Sequence, residues 1–359
     1  MQPATDEHLK LYDAHIRRKR TVLVLSAAAT LLIAVFAVGV GSYTIPAPDV
    51  IRTLLGQGSA EASTVIFGIR LPRVAAAVVV GASLAVAGAV MQCVLQNPLA
   101  SATTLGVAQG AAFGAAVGII VFDSGVVAPD AAVSGVSINN PYIVTFSAFV
   151  FGSLSTVVVV LLSRLKPDLG PGGIVLAGVA LGALFSAGSM LLQYFADAAK
   201  ISAVVFWTFG NLGSASWLEI GILGGVFAAA FIYFLQNRWN YNAMEAGADT
   251  AMSLGVNTRS VMLIGMAVAT LLSAIAVSFV GIIGFIGLVA PHIMRRFVGN
   301  DYRYLIPASA LTGALLLIAA DTFARLIIAP VILPIGAITS LLGAPVFLVL
   351  LFRGFGSRD

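Results

Sequence analysis

The chain has 359 residues, 59% of them hydrophobic and only 9% charged, with a formal net charge of +4. Soluble domains carry about 25% charged residues, so the composition excludes a soluble globular domain. The positive balance then reports membrane topology rather than a nucleic-acid partner. The one cysteine, Cys93, excludes an internal disulfide and a thiolate metal cluster.

Charge-free runs over residues 74–122, 131–163, 260–294 and 326–352 predict an all-α integral membrane protein, because about 20 apolar residues cross a bilayer as a helix. Residues 1–20 are a polar cytoplasmic tail ending in Arg17-Arg18-Lys19-Arg20, and residues 21–359 form one polytopic domain. The first span is 21–42, too long for the core of a cleaved leader. Residues 43–73, with several charges and prolines, form an external loop. The run 74–122 would be roughly 74 Å long as one helix, more than twice the ~30 Å bilayer core. It must fold back, and Gln96-Asn97-Pro98 is the polar, helix-breaking place to do so. The second of these two spans carries Gly106, Gly110, Gly114 and Gly118, a spacing that lets helix backbones approach closely.

Residues 123–140 are external, 141–163 cross inward, and Arg164-Leu165-Lys166-Pro167 mark the inside. The fifth span is about 173–195. Residues 201–213 are apolar but short, an external re-entrant or interfacial helix with Trp207 and Trp217 at headgroup level. The sixth span, about 217–236, delivers the polar stretch 238–259 to the cytoplasm. Wound as one helix, its middle puts Met244, Ala248, Ala251 and Met252 on one face and Asn242, Glu245, Asp249 and Ser253 on the other. Such a helix suits a bilayer surface or a groove on a soluble partner. The run 260–294 is again too long for one crossing, with Gly281, Gly284 and Gly287 at the external turn and Arg295-Arg296 back inside. Spans at about 304–323 and 335–352 complete ten, with both termini cytoplasmic. Of 19 Lys and Arg, only Arg52, Arg70, Arg73, Lys200 and Arg325 then fall outside.

No span carries an ionisable residue near its centre; Asp321 and His292 lie near ends. Such residues usually mark ion or proton pathways, so their absence argues against a self-sufficient, gradient-driven carrier or channel. No metal-ligand spacing, catalytic nucleophile or phosphate-binding Gly-Lys loop is present. No residue is assigned a catalytic or metal role, and transport energy must come from another chain. The outward arginines Arg70, Arg73 and Arg325 suit carboxylates on a docking partner. The local alternatives are an i, i+4 pair of Asp321 with Arg325 and headgroup phosphate for the other two. His292 reads as a hydrogen-bonded packing residue.

Several stretches resemble the FecCD family, permease subunits of iron-chelate and vitamin B12 type ABC importers. They are IRLPR (69–73), GASLAVAGAVMQ (81–92), NPLA (97–100), LAGVALG (176–182), SLG (253–255), GFIGLVAPHIMR (284–295), LIPASALTGA (305–314), ADTFAR (320–325) and LPIGAITSLLGAPVFL (333–348). The resemblance implies the type II ABC importer permease fold and a homodimer in the prokaryotic plasma (inner) membrane. It also implies two cytoplasmic ATPases that carry ATP and Mg²⁺, and an external substrate-binding protein, with no cofactor on this chain. It places binding-protein docking at Arg70, Arg73 and Arg325. The ATPase coupling helix falls at 243–256, with Met244, Glu245, Gly247, Ala248, Asp249, Ala251, Met252, Leu254 and Gly255. The cytoplasmic gate falls at Asn97, Leu99, Gly170, Pro171 and Gly172. This chain departs from the family pattern at Gly170-Pro171-Gly172, at Ala248 and at Ile332. Iron–siderophore is the favoured cargo, with haem or cobalamin as alternatives.

Overall fold

The structure, a computed structural model, describes residues 3–41, 45–126, 137–138, 140–166 and 170–355. In lipid a backbone must bond to itself, and this sequence does so by winding helices. Seven described helices are long and apolar enough to cross a bilayer. They are α1 (Pro3–Gly39), Ala60–Val94, α6 (Pro141–Leu165), α7 (Gly170–Tyr194), α9 (Trp217–Gln236), α12 (Thr258–Val280) and α14 (Tyr302–Leu326). Shorter apolar helical segments lie at Val107–Val121, Ala198–Thr208 and Ile335–Val349, the last within α15 (Ile335–Phe355), and the stretch expected to return to the inside after residue 281 forms the 13-residue α13 (Ile286–Val298).

The segment expected as an external loop before the second span is mostly helical. After α2 (Ala47–Leu54), α3 (Ala60–Val65) passes through one turn of π-helix at Ile66–Arg70 into α4 (Leu71–Val94). Hydropathy missed this because charge interrupts the run, yet Pro72 sits in the first turn of α4, where its absent N–H costs nothing. Arg70 and Arg73 therefore ride on a continuous helix. Residues 3–20 likewise continue the helix of the first span instead of standing apart from it.

Helix α4 is the axle of the bundle, with 83% of its most apolar window buried. Its buried residues are mostly Ala, Gly and Val, which suits association driven by close packing rather than by a hydrophobic force between helices. It packs most extensively on α14, where the backbones of Gly81 and Gly313 touch, and against α13, where Gly88 meets the Gly287 carbonyl. Gly287 thus belongs to a helix contact and not to the expected external turn.

The glycine ladder works as its spacing predicts. In α5 (Val107–Ala116) and the turn that extends it to Val121, Gly110, Gly114 and Gly118 lie against the α6 backbone; a Cβ on Gly110 would sit 2.6 Å from the Phe151 carbonyl oxygen. Gly106 does a different job. It starts α5 with φ +77 and faces the Gly178 carbonyl of α7.

Residues 281–285 are non-helical, between Gly281 (φ +76) and Phe285 (φ +64), and separate α12 from α13. Backbone that leaves a helix needs other partners or cover for its polar groups. Here the cover is the end of α8 (Ala198–Thr208) and the start of α15. Asn211 N donates to Val280 O at 2.7 Å, Gly336 N donates to Phe209 O at 2.9 Å, and Gly210 and Gly336 both lie against the Ile282 carbonyl. The short apolar segment expected to be interfacial is therefore partly a lid on this break. The region expected as the external loop 123–140 lies largely outside the described residues; its ends pair as a two-residue ladder, Gly125–Val126 with Ser137–Ile138. Pro167 is also outside them.

Candidate functional sites

At the outer end, Arg73 Nε donates to Asp321 Oδ1 at 2.9 Å and Arg325 Nε to Asp321 Oδ2 at 3.0 Å. One carboxylate thus accepts from two guanidinium groups, joining α4 to α14 across 248 residues of sequence. The remaining donors cap the C-terminus of α1. Arg70 Nη1 reaches Val38 O and Gly39 O at 3.0 Å, and Arg325 reaches Val40 O at 3.0 Å and Ala37 O at 3.2 Å. Those carbonyls are the negative end of a helix and lack intrahelical donors, so cations are stabilising there. Arg70, Arg73 and Arg325 are only 4%, 7% and 6% exposed. The three arginines expected to offer forks to an external carboxylate are buried here and hold three helices together. The i, i+4 pair foreseen for Asp321 and Arg325 forms, but Asp321 is shared.

At the cytoplasmic end the expected single coupling helix is two. α10 (Arg238–Glu245) stops at Ala246, Gly247 takes φ +110, and α11 (Ala248–Ser253) follows, ending before Gly255 at φ +83. Both glycines adopt backbone conformations that a side chain would strain. Met244 and Ala251 are buried, as their shared face predicts, and Ala248 is half-buried. Met252 is not on that buried face: with the chain bent at Gly247 it is 55% exposed, beside Leu254 at 69%. Glu245 and Asp249 are exposed as well. The hairpin therefore offers two large apolar side chains and two carboxylates to the aqueous side.

Its inner face is anchored by polar contacts. Asn242 accepts from Tyr302 N at 2.7 Å and donates to Asp301 Oδ1 at 3.2 Å; Glu245 accepts from Asn300 Nδ2 at 2.7 Å and from the Tyr302 hydroxyl at 3.3 Å. Buried Tyr302 also receives a hydrogen bond from Arg295, whose other arm donates to Gln92 Oε1, and Gln92 Nε2 donates to Gly287 O at 3.3 Å. A polar chain thus runs from the hairpin to the seam between α4 and α13. Gln96 Nε2 donates to Met244 O at 3.2 Å, and Cys93 Sγ to Tyr241 O at 3.5 Å, so the cysteine packs between helices as expected. None of this network beyond Met244 and Glu245 was assigned a role from sequence. The Arg at the end of GFIGLVAPHIMR was the available signal.

Asp301 is the hub beside it. Arg303 donates to it at 2.7 Å, Lys19 of α1 lies 3.7 Å away, and Arg303 stacks over Trp239 at 4.9 Å. Burial works against the Asp301 carboxylate, but hydrogen bonds from Arg303 and Asn242 outweigh it and hold its pKa below the usual carboxylate value.

The gate candidates occupy the same end by topology. Asn97 and Leu99 follow α4, with Asn97 Oδ1 accepting from Leu99 N at 2.9 Å and Leu99 side chain exposed. Gly170, Pro171 and Gly172 form the first turn of α7; Gly170 has φ +57, and open space surrounds both glycines. His292 packs edge-on to Phe347, but its Nδ1 has no partner among the described residues, against the expectation of a hydrogen bond.

Comparison with known proteins agrees with this architecture. Residues 29–353 match the FecCD transport family. A protein of Methanocaldococcus jannaschii, MJ0087, named as an ABC transporter permease, is 50% identical over 95% of this chain and 97% of its own. The hemin transport system permease protein HmuU of Yersinia pestis is 37% identical over 90% of this chain and 94% of its own. A solved metal-chelate type ABC transporter in an inward-facing conformation superposes with a TM-score of 0.80 at 30% identity, covering 93% of this chain and 99% of that one. The chain belongs to the FecCD transport family and is a multi-pass membrane permease of the ABC transporter class.

Proposed function

We propose that the chain is the membrane subunit of a binding-protein-dependent ABC importer in the plasma (inner) membrane of a prokaryote. It works as a homodimer with two cytoplasmic ATPases and an external substrate-binding protein. Its cargo in this reading is a metal chelate, foremost an iron–siderophore, with haem and cobalamin in the same class. ATP and Mg²⁺ bind the partner, and this chain contributes the path and no catalytic residue. The hemin permease among its relatives and the metal-chelate transporter that shares its fold support the cargo class.

The observation that carries the reading is the bent hairpin, which exposes Met252 and Leu254 to the aqueous side while Asn242, Met244 and Glu245 tie it to the bundle. A partner can bias a two-state bundle only through contacts that differ between states, and this hairpin is where such contacts form. Displacement of α10 passes through Gln96 to the end of α4. The next residues, Asn97 and Leu99, form the proposed gate with Gly170, Pro171 and Gly172. It also passes through Tyr302 and Arg295 to α13.

The test is Met252→Asp with Leu254→Asp, assayed in proteoliposomes with the ATPase and the binding protein. Both side chains are exposed, so thermal stability stays near wild type while chelate uptake falls at least tenfold. Uptake at the wild-type rate would sink the assignment. Ala251 is the wrong target, because it is fully buried and a charge there would break the fold.

A further inference from the structure

Helix α1 is the least buried of the long spans: only 17% of its most apolar window is covered by the rest of the chain. One stripe faces the bundle. It runs through Thr30, which donates to Leu311 O at 3.1 Å, and Ala37, which is fully buried. At its cytoplasmic end lies Lys19, paired with Asp301 and set over Tyr304. The opposite stripes are exposed and apolar: Val24 and Leu31 on one, Leu25 and Leu32 on the next. Seven residues are close to two helical turns. Stepping back seven from Val24 gives Arg17, and from Leu25 gives Arg18; Arg20 is one turn before Val24. All three arginines are exposed. Arg17 and Arg18 stand about 10 Å along the helix axis from the apolar residues below them, and Arg20 about 6 Å from Val24, a height that suits the headgroups of the acyl chains those residues would meet.

Several other arginines at this end have donors engaged within the chain. Arg259 donates to Arg164 O, Arg238 to Leu235 O, and Arg295 to Gln92 and Tyr302. Among the described residues the guanidinium groups of Arg17, Arg18 and Arg20 have no hydrogen-bond or ion-pair partner. Three planar forks on the lipid-facing stripe suit phosphate oxygens bidentately. Basic groups at the inner leaflet attract anionic lipid at roughly fivefold in affinity per residue.

We propose that Arg17, Arg18 and Arg20 form a binding patch for the phosphates of anionic phospholipids in the cytoplasmic leaflet. The patch anchors the outer stripe of α1, while Lys19 on the inner stripe anchors the same turn to Asp301. Only the inside orientation of α1 is borrowed from the transport reading, and lipid retention is measured without ATPase or cargo, so the two can fail separately.

The experiment uses the full chain in nanodiscs of phosphatidylcholine mixed with phosphatidylglycerol, with retained lipid counted by native mass spectrometry after mild delipidation. Wild type retains phosphatidylglycerol preferentially, and added salt erodes the preference. Arg17→Gln, Arg18→Gln and Arg20→Gln each reduce it about fivefold, and the triple variant abolishes it. Arg259→Gln, whose donor is already engaged, keeps it. Equal retention of both lipids by wild type, or an unchanged preference in the triple variant, overturns the proposal. So does a triple variant that keeps its lipids but loses association with the ATPase, which would assign the arginines to an acidic protein surface.

Discussion

The two ends of this bundle use the same residue types to opposite effect. At the outer end Asp321, Arg73, Arg325 and Arg70 are buried, and their donors end on one carboxylate and on the carbonyls of α1. At the cytoplasmic end Glu245, Asn300 and Arg303 keep contact with water, while Tyr302, which donates to Glu245, and Asp301, which accepts from Arg303 and Asn242, lead inward. A buried charge that loses its partner is left uncompensated, whereas an exposed one can exchange its partner for water. The outer cluster therefore behaves as a fixed joint, and the inner network as contacts that can be remade when a partner pulls on the hairpin.

Three perturbations sharpen or break that contrast. Asp321→Asn should have the largest effect, a loss of about 3–5 kcal/mol, because it strands two buried arginines. A thermal unfolding midpoint in detergent close to wild type would show that the joint is not structural. Tyr302→Phe removes a hydroxyl that bridges Glu245, Arg295 and the Ala89 carbonyl, and should cost about 0.5–1.5 kcal/mol. In the proposed transporter it should also lower chelate uptake per ATP hydrolysed; a stability loss with unaltered coupling would reduce Tyr302 to packing. Asp301→Asn should give the smallest effect, and one that depends on pH. The folded pKa lies below the ordinary 3.8, so the carboxylate's stabilisation is fully present above that value. It is lost as pH falls through the lower folded value. Stability of the variant should change less than wild type on acidification below about pH 4; identical acid limbs would remove Asp301 from the network.

Much of the architecture was legible because it is local. The fold-back at Gln96-Asn97-Pro98 follows from the length of an apolar run, and the Gly110, Gly114 and Gly118 contact with α6 follows from spacing within one helix. What sequence could not give is pairing at a distance. Arg73 has no acid near it in the chain, since its partner is 248 residues away, and so the buried clamp it forms with Asp321 was not foreseen. The hairpin failed for a different reason. A helical wheel assumes one axis, and Gly247 at φ +110 gives the stretch two, which moves Met252 from the inside to the surface. Gly287 was placed in a turn because glycine serves both turns and close helix contacts, and only the position of Gly88 separates the two.

The break at residues 281–285 bears on how the protein is made. α13 has 13 residues and at 1.5 Å each spans about 20 Å, too little for it to partition into lipid as an independent segment during synthesis. Its neighbouring backbone is completed from both directions: Asn211 precedes it on the ribosome, while Gly336, the donor to Phe209, emerges only with the last helix. A nascent chain halted before that glycine leaves the Phe209 carbonyl without this donor, so this part of the bundle closes only after α15 has begun to emerge.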